Sequence, residues 1–278
     1  MSSRRALTGG QWLDAFSRIG VGVRRVVLPL SGTEAGRAPL TVGAGGDTTI
    51  ELDRAAEAVV LGELAGLAER GETFTVLSEE VGRRSYGADF PLVLVDPVDG
   101  SLNAKQGVPL FGLMLAVLNG PRVSDTSAGL VLNLATGDDW TAIRAQGARH
   151  SGKPLTVMER ARADRIELLG LESNPRNLKL AQALVARAAK IRVLGSMAIS
   201  IALTSAGGFD VFCAPSPVRV FDMAASLLLL SETGGVATTM EGEPIANLRC
   251  DLDSRSTVLC APTPELHAEA LKIVRDAR

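Results

Sequence analysis

The chain has 278 residues, with 29 Lys+Arg against 31 Asp+Glu, 46% hydrophobic and 4% aromatic residues. At roughly 100–200 residues per domain that is one large or two modest domains, and the apolar content excludes a disordered tail. A net charge of −2 excludes a polycation that grips nucleic acid or an anionic membrane by bulk charge, so an anionic ligand must be met locally.

The first ten residues carry an Arg pair but no apolar run of signal-peptide length. No stretch approaches the ~18 apolar residues of a membrane span, so a soluble, cytoplasmic protein is expected. Trp12, Ala15, Phe16, Ile19, Val23, Val26 and Val27 recur at helical spacing and predict an amphipathic helix that stops at Pro29. Between residues 30 and 49, Gly32, Gly36, Gly43, Gly45 and Gly46 stand among Ser, Thr and Asp, which reads as a loop, inert unless it covers a ligand. Leu52, Ala55, Ala56, Val59, Val60, Leu64 and Leu67 line one face of a second helix over 52–70, stopped by Gly71. Short apolar runs bounded by turn residues predict strands over 74–77, 92–95, 113–118, 129–134 and 140–143. Beyond Thr156 the pattern alternates: strands over 166–171, 191–194, 210–213 and 257–260, helices over 177–189, 196–206, 221–233 and 264–275. The expected architecture is an α+β N-terminal domain, residues 1–155, followed by an α/β C-terminal domain, residues 156–278.

Asp96-Pro97-Val98-Asp99-Gly100-Ser101 follows the buried-looking strand at 92–95, so both carboxylates fall at the strand's carboxyl end, where open α/β sheets bind ligands. Pro97 presets the bend, Gly100 lets backbone approach a bound group, and Ser101 is placed to cap a following helix whose first N–H groups would face an anion. Asp-Pro and Asp-Gly are also ordinary turn chemistry. Ser78-Glu79-Glu80 ends another strand, while Asp53 and Asp222 each open a helix, where an acid commonly serves as a cap. Jointly these carboxylates make an oxygen-rich set suited to a hard divalent cation, with no neighbouring His or Cys to suggest a softer one. Cys213, Cys250 and Cys260 form neither a disulfide framework nor a zinc site and read as small buried hydrophobes.

The order and spacing of residues 42–57, Ser78-Glu79-Glu80, Asp96 to Asn103 with Gly107 and Pro109, Gly195-Ser196, and Arg219-Val220-Phe221-Asp222 with Gly234-Gly235 resemble the inositol monophosphatase superfamily along nearly the whole chain. The likeness is greatest to its archaeal-type inositol monophosphatase/fructose-1,6-bisphosphatases. The resemblance implies a sugar-phosphatase fold of alternating helix and sheet layers and a Mg²⁺-dependent phosphomonoesterase with two or three ions, Mn²⁺ able to substitute. It implies that Glu79, Asp96, Asp99, Asp222 and the Val98 carbonyl hold metal, and that Asp53 and Ser101 orient the attacking water, with Glu79 also catalytic. Gly100, Ser101, Asn103, Gly195, Ser196 and Arg219 are then the expected substrate contacts. Ser101 stands where the family usually has Thr, which keeps the hydroxyl and loosens its rotamer.

Phosphate monoesters need a barrier reduction toward the upper end of roughly 8–23 kcal/mol, and paired ions that acidify water and neutralise the phosphoryl group supply much of it. The stretch 213–219 lacks the acid that inositol-preferring members use on ring hydroxyls, and Arg219, Arg176 or Lys105 can meet a second phosphate, so fructose 1,6-bisphosphate is at least as well suited as inositol 1-phosphate. The rivals are a 3′-phosphoadenosine 5′-phosphate phosphatase, for which the aromatic content offers little to stack on, and a catalytically silent sugar-phosphate-binding relative. The expected partner is a small phosphorylated sugar or cyclitol, with no nucleic acid or membrane, in a homodimer or homotetramer.

Overall fold

The computed structural model describes residues 6–44, 46, 48–157 and 166–277. Helix α1 (Gly9–Val27) forms where the first apolar stripe predicts it. It is started by Thr8, whose hydroxyl accepts from the Gln11 N–H while the Gln11 side chain accepts from the Thr8 N–H. This reciprocal cap satisfies two amides that a helix start leaves open. The glycine-rich stretch is not all loop: β1 (Pro39–Val42) and β2 (Thr48–Ile50) pair antiparallel. Of its residues, Gly45 and Asp47 lie outside the described ones. Helix α2 (Glu51–Glu69) then buries Leu52, Ala56, Val60 and Leu64 together with two acids, Asp53 and Glu57.

Strands β3 (Phe74–Ser78), β4 (Gly82–Asp99), β5 (Gly112–Leu118), β6 (Thr126–Asn133), β7 (Asp139–Ile143), β8 (Ala148–His150) and β9 (Lys153–Pro154) form one seven-stranded sheet in that order, with a short helix α3 (Ser101–Gln106) after β4. β4 is much longer than the predicted run at 92–95. Thr75 faces both Ser85 and Leu92, and Ser78 faces both Gly82 and Val95. A residue pairs once along each edge, so β3 lies between the two halves of β4. The first half, Arg83-Arg84-Ser85-Tyr86, is polar and carried no apolar signal.

The second sheet has β10 (Leu168–Leu171), β11 (Lys190–Arg192), β12 (Val211–Arg219), β13 (Val236–Thr238) and β14 (Arg255–Ala261) in the order β11-β10-β12-β14-β13. β10 runs parallel to β11 and β12, and β14 antiparallel to β12 and β13. The helices here are α4 (Gln182–Arg187), α5 (Met197–Ser205), α6 (Ala224–Glu232) and α7 (Pro264–Asp276). The helix expected over 177–189 splits into a 3-10 turn, Leu178–Ala181, and α4, because Leu178 and Leu180 are exposed and hold no face against the sheet. The helix expected over 221–233 begins as a tight turn, Val220–Asp222, closed by the Arg219 N–H donating to Asp222 Oδ2 at 3.3 Å.

Alternation along the strands decides the layering. Val93, Val95, Leu113 and Leu115 pack on the side of α1 and α2, while Leu92, Leu94, Met114 and Ala116 pack against α5 and α6. Phe212, Ala214 and Cys260 close the other side of α5 and α6, and Val211, Cys213 and Leu259 face α7 through Ala270 and Val274. The layers therefore run helix, sheet, helix, sheet, helix. α5 and α6 are apolar around most of their circumference because they lie between two sheets. Each fully buried Leu, Ile or Phe there contributes about 1.5–3 kcal/mol. No helix among the described residues is long and apolar enough to cross a membrane.

Candidate active site

Sheet register creates the first contact. Ser78 lies opposite Val95, so Glu79, just past the end of β3, stands beside Asp96, which with Asp99 lies within the last residues of β4 and not beyond the strand as expected, and the Glu79 N–H donates to the Val95 carbonyl at 3.3 Å. The tight turn after β12 brings Asp222 from the other sheet, and carboxylate oxygens of Glu79, Asp96 and Asp222 lie within 4.8 Å of one another. Asp96 is only 3% exposed. Burial, followed by the charges of Glu79, Asp99 and Asp222, holds its carboxyl well above the usual range against the Val98 N–H that donates to it at 3.0 Å. Arg219 enters this group as a cation, paired to Glu79. Three carboxylates this close repel strongly at low dielectric, and an all-oxygen donor set of this kind fits a hard divalent cation.

Asp99 stands beside the trio and turns toward α5. Its carboxylate accepts the Ser196 hydroxyl and the N–H groups of Met197 and Ala198, the last two at 3.1 and 2.8 Å. Burial, then the charge of Asp222, pushes Asp99 up to about 7 despite these donors. Val98, between the two aspartates, is buried. Gly100 has a left-handed φ of +85°, and a Cβ there would lie 2.6 Å from the Gly195 carbonyl oxygen, so glycine is required for both conformation and space. Gly100 also takes the cap position of α3, which makes Ser101 the first helical residue and not the capping side chain expected. At six residues α3 is too short to carry much of the anion-attracting field expected of it.

Three expected substrate contacts are engaged within the fold. The Asn103 amide donates to the carbonyls of Leu110 and Leu194, both at 2.6 Å. Gly195 packs against Asn103 and Gly100, and Ser196, 1% exposed, caps α5 by accepting the Ile199 N–H. Arg176 is exposed on a turn that Asn174 and Asn177 tie to Ser216 on β12, at 3.1 Å each. Lys105, in the last turn of α3, lends its carbonyl to Arg37 at 2.9 Å.

A second acidic group flanks the first. Asp53 Oδ2 accepts the Ile50 N–H at 3.2 Å, the capping role an acid at a helix start ordinarily has. Burial, reinforced by Glu80 and Glu57, pushes it up to about 7. Glu57 accepts the Ser78 hydroxyl at 2.5 Å and the Val81 N–H at 3.1 Å, and so brackets Glu79-Glu80, while Glu80 pairs with the Thr49 hydroxyl. Sequence reasoning passed over Glu57 and also Glu172, which accepts the N–H groups of Leu194 and Gly195 at 2.9 and 2.7 Å. Both left a signal. Glu57 is one turn from Asp53 on the same helix face, and Glu172 directly follows a predicted strand, as Glu79 and Asp96 do.

The sequence profile of the inositol monophosphatase family matches residues 23–278. The chain belongs to the inositol monophosphatase family. It is 31% identical over 272 residues, 94% of this chain and 95% of the relative, to a fructose-1,6-bisphosphatase/inositol-1-monophosphatase of Methanothermobacter thermautotrophicus. Its match to a bifunctional NADP phosphatase/NAD kinase of Methanococcus maripaludis is 26% identical and spans 90% of this chain but 47% of that one. The fold superposes on a solved inositol monophosphatase-fructose 1,6-bisphosphatase with a TM-score of 0.82, covering 94% of this chain and 99% of the other at 21% identity. Members of the inositol monophosphatase family are phosphoric monoester hydrolases, and the acidic cluster lies within the matched residues.

Proposed function

We propose that this protein is a Mg²⁺-dependent phosphatase that hydrolyses a small sugar or cyclitol phosphate, fructose 1,6-bisphosphate or inositol 1-phosphate, by direct attack of water. The observation that carries this reading is the convergence of Glu79, Asp96 and Asp222 from two sheets. Those three, with Asp99 and the Val98 carbonyl, would hold two or three ions. Bound divalent cations would neutralise phosphoryl oxygens and acidify the attacking water.

The chain's own groups would do the rest. Asp53, near neutral in pKa, is matched to take a proton from water at working pH, and Ser101, on a helix packed against α2, would orient that water. Gly100 and Ser101 would offer backbone N–H groups to the phosphate, on a turn that Gly195 and Asn103 brace from below. Arg219 sits at the acidic group, paired to Glu79, and the turn carrying Arg176 is tied to the same strand, so these two are the cations that would meet a second phosphate. No acid stands between Cys213 and Arg219 to bind ring hydroxyls, which supports the bisphosphate at least as strongly as the cyclitol.

A nucleotide phosphate is the second reading, suggested but not favoured by the likeness to an NADP phosphatase/NAD kinase, of which the match spans 47%. Phosphate release should require Mg²⁺ and stop with EDTA; activity that survives chelation refutes the reading. Fructose 1,6-bisphosphate, inositol 1-phosphate, 3′-phosphoadenosine 5′-phosphate and NADP compared side by side decide the substrate. A preference for either nucleotide above about tenfold overturns the sugar assignment.

A further inference from the structure

We propose that Glu172 is a positioning residue for the Asp99–Gly100 corner of the active site, acting from the opposite sheet through the segment 194–198. The inference rests on the metal-dependent phosphatase reading. Glu172 leaves the carboxyl end of β10, and its own N–H is anchored to the Cys213 carbonyl on β12 at 3.1 Å. Its Oε1 takes the N–H groups of Leu194 and Gly195 at 2.9 and 2.7 Å, with the Ser200 hydroxyl more distantly at 3.4 Å. Two residues further on, Asp99 takes the N–H groups of Met197 and Ala198. Two carboxylates from two sheets thus divide four backbone amides at the entry to α5.

The segment they share is stiff where it meets the site. The Leu194 carbonyl accepts from Asn103 at 2.6 Å. The Gly195 carbonyl oxygen stands so close to Gly100 that a Cβ there would be 2.6 Å away. Any displacement of 194–195 therefore presses on Gly100 and, through Ser196 and Met197, turns the carboxylate of Asp99. Partners that hold a candidate metal ligand typically matter by roughly 10–100-fold in metal affinity. What Glu172 supplies is an oxygen at a fixed reach. Burial raises its pKa while the amides and hydroxyl it accepts from lower it, so the contributions of reach and charge are separated by experiment.

Reach and charge are separable by substitution. Glu172→Gln keeps an acceptor oxygen at the same distance without charge, whereas Glu172→Asp keeps the charge and withdraws it by one methylene. The 278-residue protein is titrated with Mg²⁺ alone by calorimetry, and the Mg²⁺ needed for half-maximal phosphate release is measured alongside. The expected result is a Glu172→Gln variant within about twofold of the parent and a Glu172→Asp variant weakened roughly tenfold in both readouts. The melting temperature without Mg²⁺ should be nearly the same for the two variants. Loss in the glutamine variant alone overturns the inference by making charge the cause, and equal loss in both overturns it by showing that an oxygen at the right reach is not enough. A fall in melting temperature with an unchanged Mg²⁺ requirement reduces Glu172 to a structural residue and overturns it too. If the parent protein releases no phosphate from any ester, the underlying functional reading fails instead, and the Mg²⁺ titration still judges Glu172.

Discussion

Asp96 concentrates the chemistry of the site into one side chain. It is buried with Glu79, Asp99 and Asp222 all raising its pKa, so without a cation its negative charge is a liability to the fold. Asp96→Asn should lower phosphate release by at least about 100-fold. It should leave the metal-free melting temperature unchanged or higher, because a like charge has been removed. Steady-state kinetics and calorimetry on one preparation check both halves. The same logic sets a pH dependence. Asp53 and Asp99 are pushed up to about 7 from the roughly 3.9 of an unfolded chain. Between those values the folded state binds more protons than the unfolded state, so metal-free stability falls as pH rises through that window and levels off above it. Thermal melts in EDTA from about pH 5 to about pH 8 should show the decline, and Mg²⁺ should flatten it, since a cation takes over the protons' compensating role. At this scale the residue types were legible in the sequence. The orientation of Asp99 toward α5 was not, because its donors, Ser196 to Ala198, are contributed by a distant segment.

Elements show where the pattern carries information and where it fails. The stripes placed α2 to within a residue of both ends and α1 to within three residues of its start, because burial on one face imposes the helical period on neighbouring residues. The β1–β2 hairpin and the polar first half of β4 left no such imprint. Both are held by pairing, not by an apolar face. Close packing between elements is equally silent until the partner is known. Gly129 on β6 meets α6 so tightly that a Cβ would lie 2.7 Å from the Ala225 Cβ and 2.9 Å from its Cα. Gly129→Ala should therefore push α6, and the Asp222 turn before it, away from the sheet at a cost of about 1–3 kcal/mol. A drop of several degrees in melting temperature is the expected reading, and an unchanged value would mean the layers give way freely.

For the whole molecule, the consequence of the layering is that α5 and α6 sit in one core built by both sheets. The residues of one cluster come from both sheets, Leu94 and Met114 on one side and Phe212 and Cys260 on the other. We propose that the boundary near Thr156 separates two topological halves that unfold together. Leu228→Ala on α6 removes a buried side chain at a cost of about 2–5 kcal/mol, and calorimetry should show a single transition moved to lower temperature. Two separated transitions would mean the halves are thermodynamically independent.

The sequence by itself determined the helical stripes, the short apolar strands, the turn at Gly100, and the hard, all-oxygen character of the acidic residues. Each of these is a property of neighbours along the chain, where period, turn chemistry and donor type are written locally. Only the tertiary structure decided that Glu79 at the end of β3 stands beside Asp96 on β4, that Arg219 reaches Glu79 across 140 positions of chain, and that Glu172 and Asp99 divide the amides before α5. Those meetings depend on sheet register and layer packing, which are set by the sum of many long-range contacts and by no single local pattern.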